Sequence, residues 1–159
     1  MPFAELLQRF AAAVMTDDRK GLSALFTPDG VYEDGFFGAH AGPAAIAAML
    51  RRFHDTGANY LWEFVDPIAA GDRGYARFHF SYVSRLPDSA GRPVFFEGMS
   101  CFTLRDGLIA RYREAFDRGV ALVQLDFPAE RIRRILERAT AAQNRSPAAE
   151  RHLARFAKG

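Results

Sequence analysis

Residues 74–86, GYARFHFSYVSRL, and 93–105, PVFFEGMSCFTLR, alternate aromatic residues with polar or small ones, and residues 108–117, LIARYREAFD, continue the pattern. Side chains alternate across a strand, so each stretch reads as a β-strand with one aromatic face. Gly71 to Gly74, Pro87 to Gly91 and Arg105-Asp106-Gly107 supply turn residues between them, and residues 60–70 read as a further strand upstream. These stretches predict an antiparallel meander.

The chain ahead of the meander has a different period. Phe3, Leu6, Leu7, Phe10, Ala11 and Val14 recur at helical spacing, and Leu22, Leu25 and Phe26 predict a second helix capped by Asp17 or Asp18. Thr27-Pro28-Asp29-Gly30 is turn chemistry, followed by a short strand over 31–34 and a Gly-rich loop over 35–42. Pro43 suits the first position of a third helix with Ile46, Met49, Leu50 and Phe53 on one face. After Asp117 the chain returns to helix over 128–142, and Ser146-Pro147 opens a short last one. Helices segregated from a meander predict an α+β fold.

The 159 residues are 49% hydrophobic and 25% charged, as in a single globular domain that packs its own core. No apolar run is long enough to span a bilayer, and Glu5 and Arg9 interrupt the N-terminal apolar pattern, so neither a membrane partner nor a cleaved signal is expected. The lone Cys101 cannot form an internal disulfide, which fits a cytoplasmic protein. The net charge of +2 conceals an uneven distribution: residues 128–159 hold eight Arg or Lys against three Glu. A basic helical tail can bind nucleic acid, but no nucleic-acid module accompanies it, so it is expected to be a solvated helix face. The 15 Phe residues predict an aromatic core or an apolar pocket.

The stretches LLQRFAAAV (6–14), ALFTPDGVYEDGFFG (24–38) with GPAAI (42–46), and IARYREAFD (109–117) followed by ALVQLDF (121–127) resemble the nuclear transport factor two-like superfamily. The similarity is strongest to its SnoaL-like members and extends to its ketosteroid isomerases. It implies a cystatin-like cone: a curved antiparallel sheet packed on N-terminal helices over residues 1–127, with extra C-terminal helices over 128–159. In the isomerases a general-base Asp follows the first strand in a Glu-Asp pair. Glu33-Asp34 matches it, so the resemblance makes Asp34 the candidate base; the alternative is a turn Asp capping Gly35. The isomerases also use a Tyr and a protonated Asp as an oxyanion hole. Those positions fall on Phe10, which has no donor, and Ser100, a weak one, so the resemblance does not extend to the electrophilic half of that chemistry. The three-residue Asp-Arg-Asp set of the epoxide hydrolases has no clear counterpart.

Strand parity then sorts the sheet. One face collects Phe78, Phe80, Tyr82, Phe96, Ser100, Phe102, Tyr112, Glu114 and Phe116 and is expected to be concave. The other collects Arg77, His79, Glu97, Met99, Cys101, Arg111, Arg113 and Asp117, and the resembling families lead us to expect a homodimer through it. Glu114 is the acid on the aromatic face; an apolar surround raises a carboxyl pKa and suits it to proton transfer, unless an Arg or the wet mouth of the cone meets it. Asp34 and Glu114 are thus the candidate catalytic pair. Tyr112 and Ser100 are candidate donors to substrate, and Phe10, Phe36, Phe53, Trp62, Phe78, Phe80, Phe102 and Phe116 candidate pocket walls. His79 is expected at the outer face, His40 in a loop near the mouth, and Asp117 outward or capping a helix.

No zinc spacing, carboxylate cluster, phosphate loop or nucleophile elbow is present, so neither metal nor cofactor is expected. The expected function is cofactor-independent isomerisation, cyclisation, dehydration or hydrolysis of a small apolar organic ligand. Two alternatives stand beside it: a non-catalytic binding or dimerisation module, and a C-terminal arm for a protein partner.

Overall fold

A computed structural model describes residues 1–156. Six strands, β1 (Phe26–Asp34), β2 (Gly38–Ala41), β3 (Gly57–Ala70), β4 (Arg73–Ser84), β5 (Pro93–Arg105) and β6 (Leu108–Phe116), form one sheet in the order β2-β1-β6-β5-β4-β3. Helix α1 (Phe3–Met15) lays Leu6, Leu7, Phe10 and Val14 against β3, and α2 (Arg19–Ala24) follows, its first turn capped by Asp18 accepting from Gly21 N–H at 2.8 Å. Helix α3 (Pro43–Thr56) begins at the expected proline, with Gly42 at φ +81° before it. Strands β3 (Gly57–Ala70), β4 (Arg73–Ser84), β5 (Pro93–Arg105) and β6 (Leu108–Phe116) make the meander.

Three local expectations need correction. Phe26 does not end α2: it starts β1 (Phe26–Asp34), which runs parallel to β6 and whose register shifts between Phe26 and Val31 around Pro28-Asp29-Gly30. The Gly-rich segment is more than a loop, because β2 (Gly38–Ala41) folds back antiparallel on β1 with Asp34 opposite Gly38. A separate helix, α4 (Arg118–Gln124), also precedes α5 (Ala129–Asn144) and α6 (Pro147–Ala154).

The inner and outer faces follow parity. Arg77 and His79 meet Glu97 on the outer face at 3.6 Å each, and Glu33 pairs there with Arg111 and Arg113. Inside, the narrow end of the cone is solid aromatic core. Phe10 is 0% exposed, and the rings of Tyr32, Trp62, Phe64 and Tyr112 lie with centroids 4.9–5.8 Å from its own, with Phe102 at 6.1 Å. At the wide end, α4 packs on β5, and Gln124 exchanges hydrogen bonds with the Phe95 backbone at 2.9 and 2.8 Å. Ala121, Leu122, Leu125 and Phe127 are buried there, and α5 continues from this anchor.

Candidate active site

Strand β1 ends at Asp34, and the chain reverses immediately into β2. The N–H groups of Phe36 and Phe37 both donate to Asp34 Oδ1, at 2.7 and 2.6 Å, so this Asp caps its own turn as well as facing inward. The expected alternatives for Asp34, turn cap and site acid, are therefore compatible in one side chain. Glu114 arrives from β6, directly opposite Ser100 on β5. Its Oε1 accepts from Gly35 N–H at 2.9 Å and its Oε2 from the Tyr112 hydroxyl at 2.9 Å. Ser100 Oγ lies 3.0 Å from that hydroxyl; with the Tyr112 proton committed to Glu114, Ser100 is the donor.

Both acids are perturbed. Burial pushes the Glu114 carboxyl up to about 8, reinforced by the charge of Asp34, against the stabilising Gly35 and Tyr112 hydrogen bonds. Burial also raises Asp34, offset in part by the Phe37 and Phe36 N–H groups and by the Glu114 carboxyl. Two close carboxyls in a poorly solvated site do not both ionise readily. The backbone donors favour the anion on Asp34, which leaves the retained proton on Glu114.

Asp34 opens onto a cavity of about 510 Å³ between the sheet, α3 and the C-terminal helices. Phe36, Phe53 and Phe80 line it, as expected. The seven other expected wall or contact residues do not, among the described residues: Phe10, Trp62, Phe78, Phe102, Ser100 and Tyr112 are packed in the core, and Phe116 is not in the lining either. Parity placed them on the inner face, but the narrow end of the cone is filled by their own rings. Phe116 stacks on Phe96 with centroids 4.4 Å apart and supports the wall from behind. Glu114 also stands behind Asp34 and is not part of the lining.

Sequence reasoning passed over several lining residues. Tyr82, on the same aromatic face, lines the cavity, and burial with the nearby Asp34 charge pushes its phenol up to about 12. Its hydroxyl has no hydrogen-bond partner among the described residues, whereas Tyr60, also in the lining, donates to Phe53 O at 2.6 Å. Arg118, Arg131 and Arg138 line the mouth. A tail read as a solvated helix face thus supplies part of the wall; the missing signal was tertiary, the anchoring of α4 on β5.

The remaining polar candidates lie elsewhere. Asp117 caps α4, accepting from Gly119 N–H at 2.8 Å. His40 sits on β2 outside the lining; its Nε2 is enclosed without a partner among the described residues, and burial, with Arg52, lowers its pKa. No cluster of three metal-ligating side chains occurs among the described residues.

The SnoaL-like domain family matches residues 7–112, well over half of the chain. The protein belongs to the SnoaL-like family. Solved structures agree with its fold. A hypothetical protein with a ketosteroid isomerase-like fold from Catenulispora acidiphila, in complex with trimethylamine, superposes with TM-score 0.72 at 21% identity, covering 79% of this chain and 95% of that one. A putative polyketide cyclase from Xanthomonas campestris gives 0.64 at 24%, covering 77% and 95%. An epoxide hydrolase of the LEH-like type from M. tuberculosis gives 0.63 at 21%, covering 76% and 86%. Among curated proteins none matches. The family match ends at residue 112, before α4 begins, so the arginines in the cavity lining of this SnoaL-like protein lie outside the matched stretch.

Proposed function

We propose that this SnoaL-like protein is a cofactor-independent enzyme that moves a proton on a small, largely apolar ligand bearing a carbonyl or comparable polar group. One observation carries this: Asp34, a buried carboxyl with a raised pKa, is the one acid lining an aromatic cavity of about 510 Å³ among the described residues. That volume lies within the roughly 300–1,000 Å³ typical of small-molecule sites.

In this proposal Asp34 removes a proton next to the carbonyl and returns it at another position, and the Tyr82 phenol donates to the oxygen as negative charge develops there. Tyr82 thereby takes the part that Phe10 and Ser100 cannot. Glu114 stays protonated at neutral pH and acts through Asp34 as a positioning residue, held by Gly35 and Tyr112. Isomerisation and cyclisation of enolisable carbonyl compounds both need these groups and no more. The same proposal includes a homodimer through the outer face, where Leu61, Tyr75, Phe95 and Met99 are large, apolar and exposed. It also includes the cytoplasm as location, with Cys101 unpaired.

A ligand-binding module without catalysis is the second reading. It is favoured by the hydroxyls of Ser100 and Tyr112, which are spent on each other and on Glu114 instead of reaching the cavity. Exchange of the α-protons of 2-tetralone in D₂O, followed by NMR, separates the two. The enzyme predicts exchange above the buffer rate that Asp34→Asn abolishes. Equal rates with wild-type protein, Asp34→Asn and buffer would leave the binding module.

A further inference from the structure

The cavity carries opposite charges on different walls. Asp34 comes from the end of β1, whereas Arg118 at the start of α4 and Arg131 and Arg138 on α5 come from the C-terminal helices. These arginines are not equivalent. Arg131 is already engaged: its guanidinium lies 3.6 Å from the centroid of the Phe127 ring, and its Nη1 donates to Asp88 at 2.9 Å. That stacking and pairing fix Arg131 and neutralise it. Arg118 and Arg138 have no ion-pair or hydrogen-bond partner among the described residues, although Arg133, on the same helix as Arg138, pairs with Glu137 at 2.8 Å. Arg118 is half-buried and shares the lining with Leu122 and Leu125, and Arg138 is exposed on α5. Two uncompensated guanidinium groups at an aromatic cavity make a site for a planar anion, because the guanidinium fork matches the two oxygens of a carboxylate.

We propose that the ligand is an aromatic or polycyclic carboxylate whose anionic group is bound by Arg118 and Arg138 at the mouth, with its uncharged reactive end turned toward Asp34. The charges set the orientation: Asp34 repels the carboxylate from the inner end, and the arginines hold it at the outer one. This rests on the proposed function only in taking the cavity of Asp34 as the ligand site. It narrows the substrate to acids, where the family match alone leaves neutral compounds open.

The test compares anthracene-2-carboxylate with its methyl ester on the full chain. Calorimetry gives the affinities, and amide NMR of Gly35 to Phe37 reports whether the probe occupies the cavity. At low salt the acid is expected to bind at least about tenfold more tightly than the ester. That advantage should shrink as NaCl is added and disappear in Arg118→Gln/Arg138→Gln. Arg118→Lys/Arg138→Lys should keep part of it, and an unchanged amide spectrum outside the mouth shows that each variant is folded. Equal affinity for acid and ester, with both shifting the Gly35 to Phe37 amides, overturns the carboxylate proposal and leaves the proton-transfer reading standing. No shift at those amides with either probe overturns both.

Discussion

Glu114 is tied to the turn that Asp34 builds: Gly35, the residue after Asp34, donates its backbone N–H to Glu114 Oε1 at 2.9 Å. Strands β1 and β6 run parallel and adjacent, with Glu33 opposite Arg113, so the two acids come from neighbouring strand ends. A fixed backbone donor on one carboxyl, and two on the other, decide which of them ionises. The asymmetry gives Asp34 the anion and Glu114 the proton.

This makes stability depend on pH in a definite direction. A carboxyl whose folded pKa is raised binds more protons in the folded state than in the unfolded one, so stability falls as pH rises between the two values. For Glu114 that window runs from the ordinary carboxyl value of 4.5 to about 8. Urea unfolding at pH 5, 7 and 9 should show a decline on the order of a few kcal/mol across it. Glu114→Gln should flatten the decline, since the amide oxygen can accept from Gly35 and the amide nitrogen can donate to Tyr112. A decline that persists unchanged in Glu114→Gln would assign it to other groups.

Gly35 has no room for a side chain. A Cβ at this position would lie 2.3 Å from the Phe116 ring, which is itself stacked on Phe96. Gly35→Ala should therefore destabilise the protein by about 1–3 kcal/mol and displace Asp34 from its turn. Thermal unfolding checks the first effect, and loss of 2-tetralone exchange the second.

Core and cavity aromatics should separate in mutagenesis. Phe10→Ala empties the centre of the aromatic cluster and should cost about 3–5 kcal/mol. Phe53→Ala removes part of the cavity wall and should cost less, because the side chain already borders open space. Binding of anthracene-2-carboxylate should weaken in Phe53→Ala at a temperature where both variants are folded, and Phe10→Ala should bind as wild type does. Calorimetry on the two proteins decides it.

The outer face gives a further outcome. Phe95 is 51% exposed and Met99 41% exposed, on the same face of β5. Phe95→Glu/Met99→Glu should shift the protein from dimer to monomer in sedimentation velocity, with no loss of thermal stability at high dilution. A wild-type monomer at micromolar concentration would remove the dimer from the proposal.

The regular part of the sheet was legible from the chain because β4 and β5 pair without a break from Arg73–Thr103 to Val83–Pro93. In such a ladder parity alone puts Ser100 inward, and β6 carries Tyr112 and Glu114 to the same face opposite Phe102 and Ser100. Depth along the cone was not legible. Phe78 and Phe80 are two residues apart on one face, yet only Phe80 reaches the cavity, since strand period carries no information on where packed core gives way to open space. Strand β2 was hidden by glycines with weak strand preference, and its pairing is set by the Asp34 turn. Arg138 looked like part of a solvated charge run and Arg118 carried no signal at all, because the anchoring of α4 through Gln124 to the Phe95 backbone is a contact across 29 residues.

The most direct test is a carboxyl ¹³C NMR titration of wild-type protein and Asp34→Asn. Glu114 should titrate far above the ordinary carboxyl range in the wild type, near 8. Removing the Asp34 charge should lower that value while burial keeps it raised. A Glu114 carboxyl titrating at the ordinary value in both proteins would contradict the shared-proton pair and the proton transfer built on it.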